Sequence, residues 1–260
     1  MLDGLKGCLP VRIDWNCLLE RVGETSVIIR VDSKLLDKSN SLNASLQARN
    51  AVVKKWLICI EKHRPNWLID YVIAYDSLLL EFEPALIEFN GLIHWLKSVS
   101  DEFINIDNNQ IEEQGKNHEI KVCYQYSGKN HPNDMPLVEQ YSGLSANEII
   151  QIHQNTRYQV FAIGFMPNFA YLGELSPALS VPRLKEPRLK VPAGAVAITD
   201  NQTAVYPNES PGGWHIIGYT NFRFSDGLNS VIGPNDNVSF KAVNLSAFLR
   251  ETKRSSDRYV

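Results

Sequence analysis

The sequence predicts two domains, an α+β domain followed by a small β-barrel. The chain has 260 residues, of which 44% are hydrophobic and 21% are charged, and this length and composition suffice for two hydrophobic cores. Strand-like and helix-like patterns alternate in the N-terminal part. By contrast, seven of the 13 prolines and six of the 15 glycines lie between Gly164 and Gly218. Long helices are excluded there, so short strands with ordered loops are expected.

Strands and helices alternate in the first domain. Residues 24–31 are rich in β-branched side chains and predict a strand. A helix over 41–63 follows, because apolar side chains recur there at helical spacing. This apolar stripe consists of Leu46, Val53, Leu57 and Ile60. Residues 67–76 and 77–82 then predict two strands that meet at a tight turn around Asp76.

A second helix is predicted to open at Pro84, since proline favours the first helical position. Its apolar face consists of Leu86, Phe89, Ile93 and Leu96. Residues 119–126 supply a further strand, and a short strand near 11–15 is expected at the sheet edge. The order β-α-β-β-α-β is that of the ferredoxin-like unit. The polar stretch 108–119 indicates a linker or a long loop, so the strand after it could belong to either domain.

The predicted boundaries are 1–115 for the ferredoxin-like domain, 116–250 for the all-β barrel and 251–260 for a solvated tail. A short helical insert interrupts the barrel, because Ser145 and Glu148 have the spacing of a capping box. The barrel strands are expected at short apolar stretches. These are residues 158–165, 195–198, 203–206, 214–219 and 238–243.

Composition and missing motifs exclude several classes of protein. The net charge of -3 gives no overall attraction to nucleic acid or to an anionic membrane. The four cysteines form no CxxC pair and no histidines lie at ligand spacing, so neither a metal site nor a disulfide framework is expected. The sequence lacks a signal-peptide pattern and a long apolar run, which favours a cytoplasmic protein. Phosphate-loop, dinucleotide-binding, zinc-protease and nucleophile-elbow motifs are absent from it.

Residues 181–194, VPRLKEPRLKVPAG, place three prolines five residues apart with basic residues between them. Proline restricts its own φ and the residue before it, so this segment is expected to be stiff. Its Arg183 and Arg188 side chains match the oxygens of a carboxylate or phosphate group. This predicts an anion clamp. The alternative is a solubilising loop whose cations pair with Glu186 and neighbouring acids.

Two flanking segments place aromatic side chains on rigid turns. The residues are Phe165, Phe169, Tyr171, Tyr206 and Trp214. A ligand-binding wall and a packed core are both compatible with them. Gly212 and Gly213 are expected to supply positive φ in a turn, or to let backbone amides approach a ligand. Tyr206 and His215 are the candidate proton donors, and the other histidines are expected to be structural or on the surface.

Four ordered blocks resemble the signature of the carboxyltransferase subdomain C/D family. They are GFMPNFAYLG (164–173), PRLKEPRLKVPAGAVAI (182–198), QTAVYP (202–207) and SPGGWHIIGYT (210–220). The resemblance implies a cyclophilin-like barrel after the ferredoxin-like domain, and it adds Gln202 to the candidate substrate-binding residues. Family members include the B subunit of the ATP-dependent 5-oxoprolinase, Kip-type kinase inhibitors and part of urea carboxylase.

The resemblance implies a component of an enzyme complex that opens 5-oxoproline to glutamate. The implied cofactor is ATP, shared with partner subunits and not bound through a phosphate loop. The implied partners are a companion carboxyltransferase A/B-type (PxpC-like) subunit and a PxpA-like subunit. The alternatives are a Kip-type inhibitor of a sensor histidine kinase and the corresponding part of a urea carboxylase or allophanate hydrolase system. In the enzyme, Arg183 and Arg188 are expected to stabilise the substrate carboxylate or a phosphoryl group.

The chain departs from the family signature at four places. One is the segment 224–240, which is shorter than usual and has Gly233, Asn235 and Asp236 near the family's PGD turn. Asn168 stands where the family usually has glycine in GFxPGF, and Ala195 where it often has serine in PAGS. Residues 127–135, SGKNHPNDM, are an irregular version of the family's GGxxGPDL and keep Gly128, Pro132 and Asp134. These departures bear on the geometry of the binding loops and leave the predicted fold unchanged.

Overall fold

The computed structural model describes residues 11–13, 17–32, 46–103, 106, 115–226 and 229–256. The chain divides into two compact units, residues 1–114 and 115–260. Residues 108–114 of the predicted linker lie outside the described residues, as do 41–45 of the predicted first helix and 257–260 of the predicted tail. No helix within the described ranges has the length and apolarity to cross a membrane. The same ranges contain no cluster of three or more potential metal ligands.

In its described residues, the N-terminal unit is a five-stranded antiparallel sheet with two helices. The strands are β1 (Val11–Arg12), β2 (Cys17–Arg21), β3 (Ser26–Val31), β4 (Leu68–Ala74) and β5 (Ser77–Phe82), and the helices are α1 (Leu46–Lys62) and α2 (Phe89–Phe103). The strand order is β1-β2-β3-β5-β4. Alternate strand residues such as Leu19, Ile29 and Leu80 share one core with Trp56 of α1 and Leu96 of α2. Both helices therefore cover the same face of the sheet.

This unit differs from the prediction in two respects. Helix α2 begins at Phe89 and not at Pro84, because residues 84–86 form a turn. The strand predicted at 119–126 is observed as β6 (Asn117–Val122), and it pairs within the second unit. The β-α-β-β-α run from β3 to α2 is present, but the strand beside β3 comes from the N-terminal hairpin β1–β2.

The second unit is built on a seven-stranded, nearly closed sheet. Its strands are β6, β7 (Arg157–Ile163), β8 (Ala170–Gly173), β10 (Ala195–Thr199), β11 (Gln202–Val205), β13 (His215–Tyr219) and β16 (Asn237–Ala242). The order is β13-β10-β11-β8-β7-β16-β6, and only β6 and β16 pair in parallel among the described strands. Cys123, just after β6, and Tyr219 at the end of β13 exchange two backbone hydrogen bonds of 2.8 and 3.1 Å. These bonds join the two outer strands, so the sheet curls into a barrel.

Shorter elements complete this unit. They are the ribbon of β9 (Arg188–Val191) and β12 (Ser210–Gly212), the hairpin of β14 (Ser225–Asp226) and β15 (Asn229–Ser230), and helices α3 (Met135–Ser142), α4 (Ala146–Asn155) and α5 (Leu245–Ser256). The predicted insert is confirmed as α4, with both hydrogen bonds of the Ser145–Glu148 capping box present. The all-β prediction omits α3, and the predicted boundary between barrel and tail at residue 250 falls inside α5, which continues to Ser256.

A chain of buried hydrogen bonds crosses the barrel core. Thr203 Oγ1 donates to the carbonyl of Ala197 (3.0 Å), so His153 Nε2 must donate to Thr203 Oγ1 (2.9 Å). His153 Nδ1 then accepts from the Tyr124 hydroxyl at 2.7 Å. Burial lowers the pKa of His153 to about 3, which keeps the ring neutral at physiological pH. We call Tyr124, His153 and Thr203 the His153 chain.

Candidate functional site

The aromatic residues singled out in the sequence meet around Phe169. Its ring centroid lies 5.4 Å from Phe165, 4.9 Å from Tyr171, 5.3 Å from Tyr206 and 5.9 Å from Trp214. Phe169 is buried, whereas Phe165 is 62% exposed. Phe169 is therefore a core residue, whereas Phe165 faces solvent above it and stays a candidate for the ligand-binding wall.

The loop that carries Phe165 has a constrained backbone. Phe165 and Asn168 have positive φ values of 71° and 66°. The turn is closed by backbone bonds from Gly164 N–H to Phe169 O (3.1 Å) and from Phe169 N–H to Met166 O (3.2 Å). Asparagine tolerates the left-handed region better than other residues with a Cβ. This explains how Asn168 can stand at a position where the family has glycine.

Glycine is required at position 212 because a side chain would not fit there, and not because the backbone has a positive φ. Neither Gly212 nor Gly213 has positive φ, so the expectation of a positive-φ turn is wrong at both. A Cβ on Gly212 would overlap the Tyr206 hydroxyl and lie 2.9 Å from Tyr206 Cζ. Burial raises the pKa of Tyr206 to about 12, against the hydrogen bond from the Trp214 backbone. The phenol is therefore protonated at neutral pH and is fixed between Gly212 and Trp214.

The proline-rich segment is fixed to the same loops. Leu184 N–H donates to Gly213 O at 2.8 Å, and strand β9 pairs with β12 so that Arg188 lies opposite Gly212. Upstream, Asp200 N–H donates to Val181 O at 2.6 Å. The segment is thus held at Val181, Leu184 and Arg188, and it lies next to the Gly212–Gly213 turn that precedes Trp214.

Arg188 forms an ion pair that sequence reasoning missed. Its Nη2 donates to Asp134 Oδ1 at 2.6 Å, and the two side chains are 24% and 6% exposed. Asp134 Oδ2 accepts from Ile216 N–H at 2.7 Å. Arg188 Nη1 is buried and has no hydrogen-bond partner among the described residues. The signal that could have found Asp134 is its retention in the irregular GGxxGPDL motif.

Arg183 and Lys190 differ from Arg188 in their surroundings. Arg183 is exposed, and its charge lowers the pKa of both Tyr171 and Tyr206 against the larger effect of burial. The charge of Arg183 therefore opposes the rise in pKa that burial causes at both phenols. Lys190 forms an exposed 2.9 Å pair with Glu209, so the solubilising interpretation describes Lys190. We call Phe165, Phe169, Tyr171, Tyr206, Trp214, Arg183 and Arg188 the aromatic–arginine site.

His215 and Gln202 lie apart from these ring contacts. His215 is buried, its Nε2 donates to Pro182 O at 2.9 Å, and its ring lies 5.7 Å from Tyr141 of α3. His215 Nδ1 has no partner within the described part of the chain. Gln202 begins β11, four residues before Tyr206, and is therefore about 13 Å from it along the strand.

Comparison with known proteins identifies relatives. The family model for the carboxyltransferase domain, subdomain C and D, matches residues 18–230. The B subunit of 5-oxoprolinase from Bacillus subtilis (strain 168) is 28% identical over 235 residues, 85% of this chain and 91% of the relative. The protein of that name from Haemophilus influenzae is 33% identical over 177 residues, 68% of this chain and 78% of the relative. The one from Escherichia coli O157:H7 is 40% identical over 124 residues, 46% of this chain, and the match spans 56% of the relative.

Solved structures extend the comparison. The crystal structure of TTHA0988 is 29% identical with a TM-score of 0.64, over 84% of this chain and 39% of that chain. The urea carboxylase of Kluyveromyces lactis is 14% identical with a TM-score of 0.71, over 94% of this chain and 24% of that chain. At that identity the likeness concerns the fold alone. The family match covers most of the chain and all four motif blocks up to residue 220, and the chain therefore belongs to the carboxyltransferase subdomain C and D family.

Proposed function

We propose that this chain is the B subunit of an ATP-dependent 5-oxoprolinase and that the aromatic–arginine site is its part of the catalytic pocket. The observation that carries the proposal is that three relatives bear this name, two of them matched over more than two thirds of this chain. The residues of the site all fall within the family match. On this proposal, companion subunits of the A/B type and the PxpA-like type complete the enzyme.

The chemistry of the site suits a small cyclic amide with a carboxylate. 5-oxoproline has a five-membered lactam ring, whose flat faces pack well against aromatic side chains such as Tyr171 and Trp214. Its carboxylate is a ligand for guanidinium groups. Arg183 and Arg188 would supply these groups at the border of the aromatic surface, and Phe165 would cover the ring from the solvent side.

The same arginines fit a phosphoryl group. ATP, when bound, supplies the group that activates the otherwise stable lactam carbonyl. Arg188 Nη1 is a buried donor without an acceptor among the described residues, and Arg183 is exposed in the same segment. Together they would hold either the substrate carboxylate or a phosphoryl oxygen. We place ATP at a site shared with the companion subunits, because this sequence has no phosphate loop.

Proton transfer is proposed for two residues. The Tyr206 hydroxyl accepts from the Trp214 backbone, so its own proton is available to the lactam oxygen or nitrogen. His215 donates from Nε2 to Pro182 O, which leaves the lone pair of Nδ1 to accept a proton. We also propose that Gln202 contacts a part of the substrate or a partner away from the aromatic residues.

The proposal is tested by reconstituting the complex. The chain is co-purified with its companion subunits, and ATP hydrolysis is measured with and without 5-oxoproline. We expect hydrolysis that depends on 5-oxoproline, is reduced by Arg183→Gln and is unchanged by Lys190→Gln, the matched control on the same segment. Autophosphorylation of a sensor histidine kinase is assayed in parallel. Kinase inhibition by this chain alone, with no turnover by the complete complex, would support the Kip-type alternative instead.

A further inference from the structure

Asp134 lies at a helix N-terminus but does not cap the helix. It is the N-cap residue of α3, yet its side chain makes no capping hydrogen bond. An aspartate at this position ordinarily accepts from an amide of the first helical turn. Instead, Oδ2 accepts from Ile216 N–H and Oδ1 from Arg188 Nη2. The carboxylate is therefore turned away from its own helix and towards the site.

The segment that carries Asp134 is held from several sides. Asn133 Nδ2 donates to the carbonyls of Tyr124 (2.8 Å) and Tyr126 (3.1 Å), and Asn133 Oδ1 accepts from Met135 N–H (3.0 Å). Asp134 N–H donates to Ile216 O at 2.6 Å. The Asp134 carboxylate loses little further conformational entropy when it binds a guanidinium, because its backbone is already held. It can therefore fix the position of Arg188.

The guanidinium of Arg188 has a donor that the described part of the chain does not use. Nη2 is engaged by Asp134, whereas Nη1 is buried and has no acceptor among the described residues. A buried donor that is left unpaired is costly, and such groups commonly mark a place that a ligand or a water completes. Arg188 lies opposite Gly212 in the β9–β12 ribbon, and a Cβ on Gly212 would overlap the Tyr206 hydroxyl, so this part of the ribbon borders the Tyr206 phenol.

We infer that Asp134 is a positioning residue, which holds Nη2 of Arg188 so that Nη1 donates to an oxyanion of the ligand. The ligand oxygen belongs either to the carboxylate of 5-oxoproline or to a phosphoryl group, and this identification rests on the proposed function. Asp134 and Arg188 together are formally neutral. The pair therefore contributes a directed hydrogen bond, and the exposed Arg183 contributes the net positive charge that attracts the anion.

The inference is tested by a double-mutant cycle on the full chain. Wild type, Asp134→Asn, Arg188→Gln and the double variant are titrated by calorimetry with inorganic phosphate, with 5-oxoproline and with 2-pyrrolidinone, which has the lactam ring but no carboxylate. We expect Asp134→Asn to weaken the binding of an oxyanion about tenfold and to add nothing in the Arg188→Gln background. Glu209→Gln, which breaks the exposed pair of the same ribbon, is the matched control and should change nothing.

The three probes separate the sources of the oxyanion. If Asp134→Asn weakens the binding of phosphate alone, the subsite takes a phosphoryl group. If it weakens the binding of 5-oxoproline but not that of 2-pyrrolidinone, the subsite takes the carboxylate. Thermal unfolding is measured on the same samples, and Arg188→Lys serves as a second variant. This substitution keeps the charge beside Asp134 but removes Nη1, so it should weaken oxyanion binding about tenfold with little change in Tm.

Three outcomes would overturn the inference. Wild type could bind neither oxyanion, Asp134→Asn could lower Tm without changing affinity, or it could weaken binding equally in both backgrounds. Failure of the proposed function gives a different result. A complete complex without 5-oxoproline-dependent ATP hydrolysis would reject that function, while the double-mutant pattern for phosphate would still establish the positioning role.

Discussion

Two buried polar clusters of the second unit differ in how completely their hydrogen bonds are satisfied. In the His153 chain, the hydroxyl of Tyr124, both ring nitrogens of His153 and the hydroxyl of Thr203 all have partners. Around the proline-rich segment, by contrast, Arg188 Nη1 and His215 Nδ1 are buried without partners among the described residues. A closed network stabilises one fold, whereas an incomplete one leaves donors and acceptors for a ligand.

The two clusters also differ in how tightly their surroundings are packed. The ring of His153 stacks on Phe240 at 4.5 Å within the main core of the barrel. Arg188 lies on a two-stranded ribbon outside the seven-stranded sheet, beside exposed side chains such as Leu189. The first cluster is thus fixed by packing on every side. The second is fixed by one buried carboxylate and has solvent nearby, as a binding site needs.

The largest expected effect is on stability, from His153→Leu. The substitution leaves the buried hydroxyl of Tyr124 without its acceptor and removes a stacked ring, so we expect a loss of about 4 kcal/mol in the free energy of unfolding. Scanning calorimetry measures it. His94→Leu is the control, because His94 is exposed on α2 and its ring bonds to a carbonyl of its own helix. If His153→Leu lowered the free energy of unfolding by less than about 1 kcal/mol, the His153 chain would not be a stabilising network.

Arg188→Ala and Arg183→Ala separate the two arginines of the site. Removing Arg188 leaves the buried Asp134 carboxylate without its cation, which costs about 3 kcal/mol. Arg183 is exposed, so its removal should change the unfolding free energy by less than about 0.5 kcal/mol. Both substitutions should weaken the binding of an anionic ligand. If the two substitutions changed Tm equally and only slightly, the Arg188–Asp134 ion pair would not be buried as the structure has it.

Acidification should weaken the His153 chain. His153 stays neutral in the folded protein down to a pKa of about 3, whereas in the unfolded chain it is protonated below about pH 6.5. The unfolded state therefore binds the extra proton between these values, and the free energy of unfolding falls as pH is lowered through this window. At pH 4.5 the loss from this residue is about 3 kcal/mol.

This pH effect is measured by urea unfolding at several pH values. His153→Gln is the matched variant, because its amide keeps one donor and one acceptor but does not titrate. We expect the pH dependence of wild type between about 6.5 and 4.5 to exceed that of the variant by about one proton. Parallel curves for the two proteins would show that His153 is not buried in its neutral form.

Local signals in the sequence predicted local structure well. The capping box of Ser145 and Glu148 predicted the start of α4, and the apolar stretches predicted β7, β10, β11, β13 and β16. Strand β8 was not predicted. Helix α3 was missed because it has only eight residues and begins beside Pro136. Helix α5 had a usable signal, since Asn244, directly before its first residue, accepts a hydrogen bond from Ala247 N–H.

Contacts between distant residues could not be predicted in the same way. Strand β6 pairs with β16, whose residues lie 120 positions later in the register, and no local pattern specifies that choice. The aromatic and arginine residues of the site were found because they lie in one stretch of motifs. Asp134 was not found, since it reaches Arg188 across 54 residues. Likewise, glycine is needed at position 212 because a side chain there would overlap Tyr206, and this contact forms only in the folded chain.

Gly212→Ala and Gly213→Ala test how tightly the site is packed. A methyl group on Gly212 would overlap the Tyr206 hydroxyl, whereas on Gly213 its nearest neighbour would be Pro187 Cγ at 3.6 Å. We expect a loss of about 2 kcal/mol for the first substitution and less than about 0.5 kcal/mol for the second. Calorimetry on the matched pair measures both. Similar values would mean that Tyr206 can move away at little cost.

The smallest expected effect concerns the loop that carries Phe165. Asn168 has a φ of 66°, a conformation that costs alanine about 1 kcal/mol and costs glycine nothing. Asn168→Ala should therefore lower the free energy of unfolding, measured by urea titration, by about 1 kcal/mol, and Asn168→Gly should leave it unchanged or slightly raised. If the two variants instead had equal stability, the loop would adopt another backbone conformation in solution. The position of Phe165 above Phe169 would then no longer follow from this turn.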